Sequence, residues 1–333
     1  MKVAIHHNPG SFSDRWIAYC KENCIPYKLV NAYDTDIIQQ IEDCDAFMWH
    51  HRHDRYSDLL FAKQMLFSLQ EAGKKVFPDY NTCWHFDDKV GQKYLLESLK
   101  IPMVPSYVFY DKSKAKEWLE GTTFPKVFKL RGGAGSSNVI LVKNKRKGKR
   151  LVSKAFGRGF KINKISLFTD ELKRYRNGHS TIRKLVLRLG NIFISTTSQK
   201  MFHRERGYVY FQEFVPNNDS DTRVIVIGDK AYAIKRRVRK NDFRASGSGE
   251  IEYDHSHIDL RCISTSFKAA AKLNTQCIAF DYVHYDEEPL IVEISYGFST
   301  YSYDACDGYW DSSLQWHKEK FNPQFWMIEN LIK

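Results

Sequence analysis

This 333-residue chain lacks membrane-length apolar runs, paired cysteine motifs and the common nucleotide fingerprints. No apolar stretch approaches the ~20 residues that a spanning helix needs. The start, MKVAIHHNPG, has three apolar residues in a row and then two histidines, so it does not read as a secretory signal. The seven cysteines (Cys20, Cys24, Cys44, Cys83, Cys262, Cys277 and Cys306) are odd in number, and none stands in a C-x-x-C. They read as reduced thiols of a cytoplasmic protein, not as a disulfide framework or a zinc site. There is no G-K-[ST], which excludes a P-loop. No glycine fingerprint follows the first strand-like segment, which leaves a dinucleotide site there unsupported. Repeats and low-complexity tracts are also absent.

What is present is unevenly placed. Residues 143–206 hold 19 Lys and Arg against three acids (Asp170, Glu171 and Glu205), a surplus of 16. The whole chain is +12, so the remainder is −4, and the basic character belongs to one segment. The length suits two or three packed subdomains.

Residues 1–80 alternate strand and helix signals. KVAIHH, YKLVNAY, DAFMWHH and KKVFP read as strands, and the amphipathic stretches between them read as helices. This pattern predicts a small parallel sheet. FPKVFKL is a further strand. From residue 207, YVYFQEFV, TRVIVIG, KAYAIKRRV, CIAFDYVHY and PLIVEIS read as strands of one antiparallel sheet crossed by the helix STSFKAAAKLN.

Three stretches carry chemistry. FKLRGGAGSSNV (128–139) runs from a strand into small residues. It is either a tight turn or a loop whose N–H groups drape over phosphate. In AFDYVHYDEEPLIVEIS, Asp281 and Glu293 stand six residues either side of Glu287. A hairpin centred there without a bulge sets them opposite each other, with Cβ atoms ~5 Å apart. Two such carboxylates need a cation between them, either Mg²⁺ or a basic side chain. Ser295 shares the face of Glu293. TRVIVIGDKAYAIKRR predicts a hairpin turning at Gly228-Asp229, which makes Asp221 the partner of Arg236 and puts Arg223 and Arg236 diagonally on one face. Arg244 follows in a polar loop. WHHRHD brings His50, His51, Arg52 and His53 to the end of the third strand, as substrate contacts or as ordinary loop polarity.

The order of these parts resembles the ATP-grasp superfamily, in its carboxylate–amine ligase branch, which includes D-alanine–D-alanine ligase and the glutamate ligase acting on ribosomal protein. DDKVGQKYLLESLKIPMVPSY, PKVFKLRGGAGSSNV, FQEFVPNNDSDTRVIVIG, RVRKNDFRAS and FDYV…VEIS carry the resemblance over about residues 85–300. It implies an α/β (α+β) fold with a parallel β-α-β domain (1–84), a subdomain covering the nucleotide (85–210, with the basic insertion 143–206) and an antiparallel-sheet subdomain (211–333). It implies ATP with one or two Mg²⁺ ions. Lys89 and Lys129 would contact phosphates, and Gly132, Gly133, Gly135 and Ser136, in the loop that runs on to Ser137, would close over them. Gln212, Glu213, Phe214 and Val215 would form the purine-edge strand. Asp281, Glu293 and Ser295 would hold metal, and Arg223 and Arg244 would stabilise an acyl phosphate. The family has Asn where this chain has Ser295, a shorter and weaker ligand. N-x-x-P-G after the metal strand is absent.

The implied reaction joins a carboxylate to an amine and releases ADP. The alternatives are a phosphotransferase acting on a hydroxyl and a non-catalytic nucleotide-binding protein. The aromatic tail resembles those of ATP-grasp proteins from bacterial surface-polysaccharide gene sets, which would make a sugar acid or amino sugar part of the substrate. STIRKLVLRLGNIFI puts Ile182, Leu185, Val186 and Leu189 on one helical face with Arg183, Lys184 and Arg188 around it. This helix either packs its apolar face on the protein or docks on something anionic, such as a saccharide or the inner face of a membrane. No nucleic-acid motif accompanies it.

Overall fold

A computed structural model of the protein describes residues 1–133, 138–161, 204–238, 243–245 and 250–333, together with helical positions 172, 175, 182, 183 and 186. The first four strands are parallel: β1 (Val3–His6), β2 (Tyr27–Val30), β3 (Ala46–Met48) and β4 (Lys75–Phe77), in the order β2-β1-β3-β4. Such a sheet needs cover on both faces. Helix α1 (Phe12–Glu22) begins where the Ser11 side chain caps the Ser13 N–H, and it buries Phe12, Trp16 and Cys20 against Val3, Ile5 and Met48. The opposite face, with Ala4 and Phe47, lies under α2 (Ile37–Gln40) and α3 (Tyr56–Glu71). The winding switches between β1 and β3, so a ligand crevice is expected outside their carboxyl ends, where residues 50–54 leave the sheet.

Helices α4 (Tyr80–Cys83) and α5 (Lys89–Ser98) lead to an antiparallel middle sheet. Its strands are β5 (Ser106–Phe109), β6 (Lys126–Lys129), β7 (Val139–Val142) and β8 (Val209–Glu213), in the order β5-β8-β6-β7. One face lies under α6 (Lys112–Gly121) and α7 (Lys145–Ala155). The sequence pattern grouped β8 with the C-terminal strands, but it lies in the middle sheet, between β5 and β6. Phe211 pairs with Phe128 on one side and Tyr107 on the other. Alternation marks which face of a strand is buried but not which strand lies beside it.

The C-terminal sheet comprises β9 (Ser220–Ile227), β10 (Lys230–Arg237), β11 (Ile251–Glu252), β12 (Cys277–Tyr285), β13 (Glu288–Ser295), β14 (Tyr309–Asp311) and β15 (Trp316–His317). Its order is β13-β12-β9-β10-β14-β15, with β11 also on β10. Helix α8 (Leu260–Leu273) covers one face. The other face, with Ile225, Tyr232 and Cys277, joins Val3 and Ile5 of the first sheet and Trp16 of α1 in one core, closed by α9 (Pro323–Ile332). The aromatic tail belongs to that closure: Phe321 and Trp326 stack 4.7 Å apart beside Tyr232. Among the described residues, no helix is long and apolar enough to cross a membrane.

Candidate active site

The β12–β13 hairpin brings the two acids together by a route the sequence did not predict. Its turn is two residues long, Asp286–Glu287, both with positive φ (49° and 66°), and Tyr285 pairs with Glu288. The centre is therefore not Glu287, and on this register alone Asp281 would face Val292. A β-bulge takes up Val292, and Asp281 stands opposite Glu293 after all. One extra residue re-aims everything beyond it.

Asp281 is not free. Arg223, its neighbour on β9, donates from Nε to Oδ1 at 2.5 Å and from Nη2 to Oδ2 at 2.7 Å. Arg236 reaches Oδ2 at 3.0 Å. Arg236 also donates twice at 2.6 Å to Asp221, its cross-strand partner in the hairpin turning at Gly228-Asp229. Burial pushes the Asp281 carboxyl up, but the two guanidiniums overcome it and hold the group below the usual carboxylate range. For Asp221 burial prevails over Arg236, and the net direction is up. Sequence reasoning missed Asp221 as a site residue; its period-two spacing from Arg223 was the available signal.

Two buried lysines face this pair. Lys89 Nζ lies 3.1 Å from Glu293 Oε1, 3.9 Å from Asp87 Oδ1, and donates to the Gly133 carbonyl at 3.0 Å. Burial disfavours its charge, yet Glu293 and Asp87 raise its pKa overall. Lys129 is only 5% exposed and has no hydrogen-bond or ion-pair partner among the described residues. Burial pulls its pKa down to about 8, only partly offset by Glu293. The foot of the glycine loop is docked rather than open. The Gly133 N–H donates to both Asp87 oxygens at 2.8 and 2.9 Å, and Asn138 Nδ2 donates to the Gly132 carbonyl at 3.2 Å. Asp87, the first acid of DDK, is a second residue the sequence reading passed over. Gly135 and Ser136 lie outside the described residues.

These groups line a cavity of about 560 Å³ between the three sheets, large enough for a nucleotide and a further small ligand. No family model matches the chain, and no curated protein matches it in sequence. Solved structures do match in shape. A RimK domain ATP-grasp protein from Sphaerobacter thermophilus aligns over 100% of this chain and 99% of its own, at 13% identity and a TM-score of 0.57. D-alanine–D-alanine ligase from Bacillus anthracis aligns over 100% and 97%, at 13% identity and 0.58. The D-cycloserine synthetase DcsG aligns over 99% and 100%, at 12% identity and 0.61.

The chain has the ATP-grasp fold. Within the cleft, Gln212, Glu213, Phe214 and Val215 lie along one wall. Gln212 Nε2 donates to Ser106 Oγ at 3.0 Å, which leaves its amide oxygen for a ligand. Glu213 is taken by Lys126, a residue the sequence reading did not single out, at 2.6 Å to both oxygens. Arg244 lines the same cavity. At the far end, His50 stacks on Phe12 at 3.7 Å, and burial pulls its pKa down to about 3. His51 turns into the core with both ring nitrogens unpartnered. Arg52 pairs with Asp54, and His53 lies against Phe86.

The donor set decides whether a hard cation fits the ATP-grasp cleft. Glu293 is 30% exposed and has one lysine on one oxygen, so its other oxygen can ligate. Asp281 accepts three N–H donors and keeps about one lone-pair direction. Ser295 Oγ donates to the Gly297 carbonyl at 2.8 Å and accepts the Gly297 N–H at 3.2 Å, so its hydroxyl is engaged with its own chain. Away from the cleft, Asp259, Cys262 and His284 approach within 4.8 Å of one another. Asp259 there is already held by Arg261 and the helix N–H, and the Cys262 thiol is pushed up to about 12 by burial.

Proposed function

We propose that the chain is an ATP-dependent, ADP-forming carboxylate–amine ligase. One observation carries this reading. A buried, unpartnered lysine (Lys129) and a second lysine (Lys89) converge with the opposed Asp281 and Glu293 on one cavity. That combination suits a polyphosphate with a divalent cation. Glu293 would hold Mg²⁺, with the remaining lone pair of Asp281 available to it, and the ion when bound would offset phosphate charge. Lys129 and Lys89 hold phosphate oxygens, and Arg223 and Arg244 take the charge that develops as a substrate carboxylate is phosphorylated. Exclusion of water from the cleft would protect the activated acyl group until an amine displaces phosphate. That D-alanine–D-alanine ligase and D-cycloserine synthetase share the fold supports a ligase over a kinase. The tail's resemblance supports a sugar acid or amino sugar as one substrate.

The test measures ADP and inorganic phosphate from ATP and Mg²⁺ with paired carboxylates and amines. The reading expects both products only when both acceptors are present. ADP without free phosphate in the presence of a hydroxyl acceptor would instead assign a phosphotransferase.

A further inference from the structure

The cleft accounts for the charges of the C-terminal sheet but not for those of the middle subdomain. Val127 and Lys129 of β6 line the cavity, whereas Phe128 and Leu130 pack beneath α6 and α7. The outer surface of α7 is therefore on the opposite side of the sheet from the nucleotide cleft and cannot serve it. Residues 143–161 hold nine Lys and Arg and no acid. Helix α7 buries Gly148, Val152 and Ala155 and leaves Arg146, Lys147 and Arg150 exposed. Lys143, Arg158, Lys161, Arg204 and Arg206 are exposed as well. Glu120, on α6, is occupied by Lys145 and Lys149, and Glu205, between Arg204 and Arg206, accepts the Tyr208 hydroxyl at 2.9 Å. Among the described residues, Arg146, Arg150, Arg158 and Arg206 have no acidic partner.

The same basic segment exposes apolar side chains. Ile182 and Val186 are helical, four positions apart, and 63% and 61% exposed, while Arg183 between them is also exposed. That spacing puts both on one helical stripe. Leu185, Leu189, Lys184 and Arg188 lie outside the described residues. A polyanion such as a nucleic acid or a phosphate polymer would use the cations but gain nothing from Ile182 and Val186. An anionic bilayer uses both, since its headgroups attract Lys and Arg while its acyl boundary takes apolar side chains.

We propose that the basic outer surface of α7, together with Ile182 and Val186, docks this protein on an anionic lipid surface. The proposal does not depend on the reaction in the cleft.

The experiment is co-sedimentation of the full chain with phosphatidylcholine vesicles that contain, or lack, about one-third phosphatidylglycerol, at ~0.1 M salt. Binding to the anionic vesicles alone is expected. Arg146→Glu with Arg150→Glu is expected to weaken it at least about tenfold, and Ile182→Ser with Val186→Ser about fivefold. All four side chains are exposed, so the circular dichroism and ADP binding of both double variants should match the parent. Absence of binding to anionic vesicles overturns the proposal. So does full binding by the Ile182/Val186 variant that soluble polyphosphate abolishes, which would make the face a polyanion dock.

Discussion

The middle subdomain and the body around it are built on different plans. In the body, the first and last sheets share one core, in which Val3 and Trp16 pack with Ile225 and Tyr232 across more than 200 residues of sequence. Arg15 to Asp304 at 2.6 Å and Tyr296 to the His51 carbonyl at 2.8 Å tie the two further. The middle sheet keeps a core to itself, in which Leu119, Phe128, Val142 and Phe211 pack with no residue from either neighbour. It meets the body through a few polar contacts, such as the Gly133 N–H with Asp87 and Gln212 with the Val292 carbonyl. Asp281, Glu293, Arg223 and Arg236 thus stand on the body, and Lys129, Gln212 and Glu213 stand on the middle sheet beside it. A site on such a seam can open and close without either part unfolding.

The comparison breaks most sharply under core truncation. Trp16→Ala should cost about 3–5 kcal/mol and melt both body sheets together. Phe128→Ala should cost a similar amount but melt the middle subdomain first, as two transitions in calorimetry with near-ultraviolet dichroism of the body retained. One merged transition in Phe128→Ala would mean that the two parts are a single unit.

Next in size is the buried ion network of the body. Asp281→Asn leaves Arg223 and Arg236 short of an anion and should cost about 3 kcal/mol by denaturant unfolding, besides abolishing turnover. Glu293→Gln faces solvent and a single lysine, so it should abolish turnover at a cost of only about 1 kcal/mol. Equal losses of stability would put Glu293 in the same buried network.

Acid should divide the two parts again. Burial lowers the pKa of His50 to about 3 and of His85 to about 4, and lowers His51 as well. All three belong to the body, while residues 106–161 and 204–213 of the middle subdomain contain no histidine. Neutral in the fold, these rings take up protons on unfolding. Their contribution is intact above pH ~6.5 and is lost as pH falls from there toward 4. Between pH 7 and pH 5 the body should lose on the order of 2–3 kcal/mol, while the middle transition shifts little.

The smallest change runs the other way. Lys129→Met removes a desolvated charge and should stabilise the middle subdomain by about 1–2 kcal/mol at pH 7. Its folded pKa is depressed, so the gain is fully present below about 8 and fades as pH rises toward the unfolded value. The same variant should lose ADP affinity about a hundredfold by calorimetry. In the parent protein, affinity should fall as pH climbs through 8.

How much of this was legible follows from what each signal encodes. The four parallel strands, the Gly228-Asp229 hairpin and the Arg236–Asp221 pairing were readable because period and turn chemistry are local. Asp281 and Glu293 met as foreseen, but the foreseen hairpin had neither the two-residue turn nor the bulge. The two departures cancel, and only the backbone reveals either. The placement of β8 and the Lys126–Glu213 pair depend on which strand lies beside which, a choice that alternation does not carry. Asp87 escaped notice because its part is to receive a glycine N–H, for which no spacing rule exists.

The guanidiniums on Asp281 have a consequence for how the cleft fills. On the proposed reading, an arriving magnesium ion must share a carboxylate that already has its counter-charge, and any arginine it displaces needs a new anion at once. A nucleotide's phosphates supply one. The pocket would then act as an ion exchanger that takes up a whole salt, with metal and nucleotide entering together and neither alone at full strength.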